Sequence, residues 1–345
     1  MMSIARIYTQ CKQAAAAARG ARRAVYAYQR TGELAILEEA IVHWRVAVAS
    51  IPVDHPRRPV YLTNLGNTLR MLFERTGETA VLAEAAQTAR SAVAAAPTSP
   101  AYLTNLGLAL RALSEHTGEA AILTEAVQAA RAAAAAAPPG YPDRAGVLSN
   151  LGMVLHTLFE QLGQAAVLAE EVQATQAAVA AAGDAHPYSG KYLNNLGIAL
   201  RSLAEHTGEI SKLPEAVQAF RAAVAAPATE HSDRLVYLQN LSTGVQVLFE
   251  QTGDAVTLAE AVQVSRDAAA AVPFSHPDRP FYLSNLATML RLLFERTGDA
   301  AVLADAVRAG RAAVAAAPVG HANRAKCPGC GRRRSSRSSR PSRVP

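Results

Sequence analysis

A nearly identical stretch of about 40 residues recurs along this chain, and this repetition limits the possible folds more than any other feature. Tyr282–Pro318 reads YLSNLATMLRLLFERTGDAAVLADAVRAGRAAVAAAP, and Tyr61–Pro97 reads YLTNLGNTLRMLFERTGETAVLAEAAQTARSAVAAAP. A glycine inside each copy recurs at steps of 45, 41, 45, 45, 45 and 45 residues, at Gly32, Gly77, Gly118, Gly163, Gly208, Gly253 and Gly298. Residues 58–318 contain six clear copies, and residues 1–57 contain a degenerate one without the Asn-Leu pair. Such a period predicts stacked copies of one small motif rather than separate globular domains.

Each copy has the pattern of two helices separated by its glycine. Before Gly77, apolar residues follow one another at helical spacing, at Leu62, Leu65, Leu69, Leu72 and Phe73. After Gly77, a second apolar face contains Leu82, Ala85, Ala89, Val93 and Ala96. No segment alternates polar and apolar residues with period two, so strands are not expected. The predicted fold is an all-α, right-handed α-solenoid of about seven helix-turn-helix repeats.

The residues that recur also resemble a known family. Asn64-Leu65-Gly66, then Gly77, Glu84-Ala85 and Pro97 are similar to the tetratricopeptide-repeat pattern. Gly66 and Ala85 are 19 residues apart, about seven more than in the family's 34-residue unit, so each helix is predicted to be about one turn longer. The longer helices resemble kinesin light chain repeats, and also the arrays attached to bacterial CHAT-type, caspase-like proteases.

This resemblance implies a binding function rather than a reaction. We expect a non-catalytic scaffold that holds a peptide or protein segment in the concave groove of the superhelix. One alternative is the sensor or regulatory array of a bacterial CHAT-type protease system, and another is a self-assembling array. No catalytic constellation or phosphate-binding loop stands in the sequence, so neither an enzyme nor a cofactor is expected.

The net charge of +6 is confined to the two ends of the chain. Residues 1–30 carry six positive charges and residues 326–345 carry seven, with no acid in either segment, which leaves −7 for residues 31–325. The array therefore has no basic stripe, and we expect no specific nucleic-acid partner. No run reaches the roughly 18 apolar residues of a membrane span, and no secretory signal is evident, so a cytoplasmic protein without membrane contact is expected.

The C-terminal segment departs from the repeat wording. After Ala325 the sequence changes to CPGCGRRRSSRSSRPSRVP, and we expect residues 319–345 to be a basic, disordered tail. Cys327 and Cys330 form only half of a zinc motif, so a metal site is not expected.

The apolar face of the last helix, which includes Val307 and Val314, has no capping helix after it. We expect another copy of the chain or a downstream domain to cover this face.

The candidate binding residues lie on the helix before each turn glycine. All six clear copies have an asparagine at one position: Asn64, Asn105, Asn150, Asn195, Asn240 and Asn285. Four copies have an arginine on the same helix face: Arg70, Arg111, Arg201 and Arg291. An amide can both donate to and accept from a peptide backbone, so the asparagines could hold an extended segment. The equal alternative is that each amide bonds a neighbouring helix and fixes the stacking of the repeats.

The helix after each glycine repeats an arginine and an acid, for which solvated helix faces and salt bridges between repeats are the favoured explanation. The fourth copy departs here. Glu171 stands where the other copies have alanine, and Gln176 stands where they have arginine. A buried carboxylate without a partner is costly, so this sequence predicts a loosened or bent helix in the fourth repeat.

Overall fold

The computed structural model describes residues 4–183, 185–227 and 231–317, apart from the side chains of residues 4–7, 231 and 232. These residues form α-helices and no strand, which confirms the all-α prediction. In chain order the helices are α1 (Ile4–Thr31), α2 (Leu34–Ala49), α3 (Arg58–Thr76), α4 (Thr79–Ala95), α5 (Pro100–Thr117), α6 (Ala120–Ala136), α7 (Arg144–Leu162), α8 (Ala165–Ala182), α9 (Ser189–Thr207), α10 (Lys212–Ala225), α11 (His231–Thr252), α12 (Ala255–Ala271), α13 (Arg279–Thr297) and α14 (Ala300–Ala316).

The chain divides into two compact units, the first ending at Thr207 with α9 and the second beginning at Gly208 before α10. Within the first unit each helix packs on the next one along the chain, and α3, α5, α7 and α9 also contact one another in sequence. The second unit repeats this arrangement from α10 to α14. Both units are therefore solenoid-like stacks of helix pairs. The predicted domain limit at residue 57 stays a prediction, and residues 319–345 lie outside the described residues.

A threonine and a glycine form the turn inside a repeat. Gly77 has φ of +68°, a left-handed conformation that costs glycine little, and its N–H donates to the Phe73 carbonyl at 2.8 Å. Thr76 donates its hydroxyl to Leu72 and accepts the N–H of Glu78, the residue before α4. The two residues thus end one helix and fix the start of the next. All the turn glycines of the repeats have φ between 63° and 77°.

Arginines at or near the starts of the first helices satisfy the C-terminal ends of the preceding helices. The guanidinium of Arg58 donates to the carbonyls of Val48 and Ile51, at 2.7 and 3.1 Å. Arg144, Arg234 and Arg279 bind the equivalent carbonyls in later linkers. These carbonyls lie in the last turn of the preceding helix or one or two residues beyond it, where intrahelical N–H partners run out, so each arginine satisfies the C-terminal end of that helix.

Small side chains form much of the core. Ala40, Ala85, Ala126, Ala216 and Ala261 occupy the same position in successive repeats and are 0% exposed. Gly66 lies opposite this position, and a Cβ there would come within 2.9 Å of the Thr88 hydroxyl. The helices of one pair therefore approach closely because no larger side chain separates them.

Salt bridges between repeats confirm the explanation favoured for the arginines of the second helices. Arg45 binds Glu84 of the next repeat through two hydrogen bonds, at 3.0 and 2.7 Å. The same arrangement joins Arg90 to Glu125, Arg131 to Glu170, and Arg221 to Glu260. Arg266 lies 3.5 Å from Asp305. We call this series the arginine–acid ladder.

Candidate functional site

The six candidate asparagines are all half-buried on the first helices, but they do not share one role. The amide of Asn64 donates to Val60 of its own helix at 2.9 Å. The amide of Asn195 donates to the Ser149 hydroxyl of α7 at 3.0 Å, and Asn240 has a partner as well. Within the described residues, the side chains of Asn105, Asn150 and Asn285 make no hydrogen bond. The six asparagines occupy equivalent positions in the sequence, but the structure divides them into three with a hydrogen-bond partner and three without one among the described residues.

The candidate arginines are held by acids of their own helices. Arg111 binds Glu115, Arg201 lies 4.0 Å from Glu205, and Arg291 binds Glu295. Burial lowers the pKa of Arg70, although the negative charge of Glu74 opposes this effect. The Nε atoms of Arg111 and Arg201 are buried without a hydrogen-bond partner. The guanidinium groups are thus fixed in position and incompletely satisfied, which is uncommon for buried donors.

The fourth repeat pairs two of the residues by which it differs from most other copies. Glu171 is buried, with 3% of its side chain exposed, and His156 stands where four other copies have arginine. Nδ1 of His156 lies 3.1 Å from Oε1 and 3.2 Å from Oε2 of Glu171. The carboxylate therefore has a partner, and the reason given for a loosened helix does not hold. The helix α8 is assigned without interruption from Ala165 to Ala182.

This pair retains protons more strongly than free side chains do. Burial raises the pKa of the Glu171 carboxyl, and the hydrogen bond from His156 only partly opposes this. The hydrogen bond to Glu171 raises the pKa of His156, aided by the charge of Glu160. Both changes have the same direction, so the pair keeps at least one proton over a wider pH range than either group alone.

A cavity of about 160 Å³ opens beside this pair within the first unit. The helices α5, α7, α8 and α9 line it with Arg111, Glu115, Gly152, Met153, His156, Thr157, Glu160, Glu171, Thr175, Asn195 and Ile198. Two of the candidate residues, Arg111 and Asn195, therefore meet here. Pockets for small organic ligands commonly measure about 300–1,000 Å³. This cavity is smaller and matches the size of one amino-acid side chain.

The chemistry of the pair is incomplete for nucleophilic catalysis. His156 is oriented by Glu171 as a base would be, and its Nε2 faces Glu160 at 3.8 Å. The nearby hydroxyls are bonded elsewhere, Thr157 to Glu115 and Met153, and Thr175 to the backbone of α8. Among the described residues, none supplies a nucleophile hydrogen-bonded to His156, and no group of three potential metal ligands is found.

Within the part of the chain that the structure describes, no helix combines the length and the apolar character that a membrane span requires.

Sequence reasoning identified Glu171 as unusual but missed its partner. The signal was present, because His156 and Glu171 depart from the repeat pattern in the same copy. Two other histidines, His116 and His206, contact the repeats that precede their own. Their rings pack edge-on against Phe73 and Phe159, with centroids 5.2 and 5.0 Å apart.

No protein-family model and no curated protein matches this chain. The C-terminal part of a tetratricopeptide-repeat protein from Cytophaga hutchinsonii superposes with a TM-score of 0.52 at 12% identity, covering 89% of this chain and 98% of that one. A repeat protein of Parabacteroides merdae gives 0.47 at 14%, covering 89% and 96%. One from Thermus thermophilus gives 0.46 at 17%, covering 65% and 97%. At such low sequence identities, structural similarity establishes only the fold. The fold of this chain is that of tetratricopeptide-repeat-like proteins.

Proposed function

We propose that this chain is a non-catalytic scaffold that binds an extended segment of another protein along the first helices of its repeats. The observation that supports this most directly is the pair of unbonded amides at Asn105 and Asn150. They lie on α5 and α7, which pack against each other, and both are half-buried. A half-buried amide loses part of its hydration without gaining a partner, so a peptide backbone that bonds it recovers that cost.

The cavity beside His156 and Glu171 supplies specificity in this proposal. Its volume fits one side chain of the bound segment, and Met153 and Ile198 offer apolar contact to the stem of that side chain. The charge of Glu115 is balanced by Arg111, so the remaining charged groups that line the cavity are Glu160, Glu171 and His156. With His156 protonated and both carboxylates charged, these three groups sum to one negative charge. A basic side chain is therefore the preferred occupant.

The partner is a protein segment rather than a small molecule or nucleic acid. The cavity is too small for an organic ligand of ordinary size. The surface of the array carries no basic excess, because residues 31–325 have a net charge of −7. The protease-associated alternative still rests on the sequence resemblance alone.

Selection from a displayed library of random peptides tests this proposal. The full chain is immobilised, retained peptides are sequenced, and their dissociation constants are measured by fluorescence anisotropy. Peptides should be retained and should share a basic residue. The N105A/N150A double variant should bind them roughly tenfold to a hundredfold more weakly, because two hydrogen bonds of about 0.5–1.5 kcal/mol each are lost.

Matched variants separate binding from folding. Asn64→Ala removes an amide already bonded to its own helix, so it should leave peptide affinity unchanged. Glu160→Gln should reduce the preference for a basic residue, since Glu160 is 62% exposed and contributes little to the core. Unchanged affinity in N105A/N150A would contradict the proposal. Loss of helicity in that variant would instead assign the two asparagines to the stacking of repeats.

A further inference from the structure

The two ring nitrogens of His156 have different surroundings. Nδ1 faces the buried Glu171 and lies 3.1 and 3.2 Å from the two oxygens of its carboxylate. Nε2 faces Glu160 across 3.8 Å, a distance too long for a hydrogen bond. Glu160 is mostly exposed whereas Glu171 is buried, so the Nε2 side of the ring is the side open to solvent. A side chain that enters the cavity can therefore reach the gap between Nε2 and Glu160.

Two carboxylates hold a proton on this ring. The hydrogen bond to Glu171 raises the pKa of His156, and the negative charges of Glu171 and Glu160 act in the same direction. Burial opposes this effect, and so does the positive charge of Arg201 on α9, which itself lies 4.0 Å from Glu205. The protonated form of His156 therefore persists to higher pH than that of a free histidine.

The other helices packed on α7 contribute charges that are already balanced. Arg111 and Glu115 of α5 line the cavity and bind each other. On α6, which also packs on α7, Glu125 and Arg131 belong to the arginine–acid ladder. The charge offered to an occupant of the cavity therefore depends on the protons held by His156 and its carboxylate partners.

We propose that a basic side chain of the bound segment enters the gap between His156 and Glu160 and takes the place of the proton on Nε2, so that acidification releases the segment. This inference rests on the proposed function, because it concerns the basic residue of that segment. The ammonium group binds the Glu160 carboxylate and donates to Nε2, while Nδ1 still donates to Glu171. The displaced proton passes to the solvent. Binding and protonation therefore exclude each other, and each weakens the other by linkage.

A small probe tests this exchange without any selected peptide. Nα-acetyl-lysine amide keeps its charge between pH 5 and pH 9, because the ordinary pKa of lysine is about 10.4. The full chain with labelled histidines is titrated by NMR over this range, with and without the probe, at constant ionic strength. The probe should lower the midpoint of the His156 titration. Its affinity should be about tenfold higher at pH 8.5 than at pH 6, since one exchanged proton changes affinity by up to tenfold per pH unit.

Matched compounds and variants separate proton exchange from other effects. The amide of Nα,Nε-diacetyl-lysine lacks the charge and should neither bind nor move the titration of His156. H156R should lose probe binding at every pH with unchanged circular dichroism, because a permanent cation then stands where four other copies also have arginine. E160Q should weaken probe binding, since it removes the carboxylate that receives the ammonium group. The resonance of His116, which does not line the cavity, serves as the internal control.

The inference is overturned if the probe binds equally well at pH 6 and pH 8.5, or if it leaves the titration of His156 unchanged. Persistence of the pH dependence in H156R would also overturn it. Selected peptides that bind with one affinity at both pH values would refute proton exchange and leave the scaffold function standing. A library from which no peptide is retained would refute the scaffold function, while the probe would still decide whether a cation displaces the proton of His156.

Discussion

Replacing His156 by alanine should destabilise the fourth repeat strongly at alkaline pH and weakly at acid pH. The substitution leaves the Glu171 carboxylate buried, with 3% of its side chain exposed, and removes its hydrogen-bond partner at 3.1 Å. A buried carboxylate without a partner must either remain charged at high cost or take up a proton. The energetic penalty therefore depends on how difficult protonation is at the pH of the measurement.

The magnitude follows from the ordinary pKa of glutamate, about 4.3. Protonating such a group costs about 1.36 kcal/mol for each pH unit above that value, which gives about 5 kcal/mol at pH 8 and about 1 kcal/mol at pH 5. Removal of one member of a buried ion pair typically costs about 3–5 kcal/mol. We therefore expect H156A to lose about 3–5 kcal/mol at pH 8 and about 1 kcal/mol at pH 5.

The unmodified chain should show the same sign of pH dependence in a milder form. The pKa values of both Glu171 and His156 are raised in the folded chain, so the folded state binds protons more tightly than the unfolded state. Stability from this pair is then fully present at low pH. It decreases as pH rises from about 4.3 through the raised pKa of His156, above about 6.5.

Glu171→Ala is the matched variant, because it restores the alanine of the other repeats. His156 is 29% exposed and can lose its proton without leaving a buried charge. E171A should therefore be neutral or stabilising at pH 8, and H156A/E171A should recover most of the loss seen in H156A. The energetic cost belongs to the unpaired carboxylate and not to the loss of either side chain alone.

Hydrogen exchange of the amides in α7 and α8, measured at pH 5 and pH 8 after correction for the intrinsic rate, provides the assay. It reports opening of one repeat, whereas global unfolding of a repeat array need not be two-state. The reasoning is refuted if H156A loses the same protection at both pH values. It is also refuted if E171A is as destabilised as H156A at pH 8.

Three further predictions concern the turns, the helix ends and the C-terminal segment. Gly77→Ala should cost about 1–2 kcal/mol in urea unfolding, because a Cβ meets nothing within 4 Å and only the left-handed conformation is penalised. Arg58→Ala should cost about 1–3 kcal/mol and raise exchange at the end of α2, since it leaves the carbonyls of Val48 and Ile51 without their donor. Deletion of residues 319–345 should leave the melting temperature unchanged, and a drop of several degrees would show that this segment is part of the fold.

Local patterns in the sequence were sufficient to predict the helix pairs. The period, the apolar spacing and the Thr-Gly turn act over a few residues, and the structure confirms helices on both sides of Gly77. The salt bridges between repeats were also predictable, because Arg45 and Glu84 recur at equivalent positions in most copies. The capping role of the arginine at the start of α3 was not predicted, since Arg58 reaches carbonyls that lie seven and ten residues before it.

Tertiary structure alone decided what the individual side chains at the candidate site do. The sequence makes Asn64, Asn150 and Asn195 equivalent, yet one bonds its own helix, one makes no hydrogen bond within the described residues, and one bonds Ser149. Likewise, the sequence shows Glu171 as a buried charge, and only the packing of α7 on α8 brings His156 within 3.1 Å of it. Periodicity determines which face of a helix a residue lies on, but a hydrogen bond depends on tenths of an ångström between side chains of different helices. Those distances are set when the helices pack.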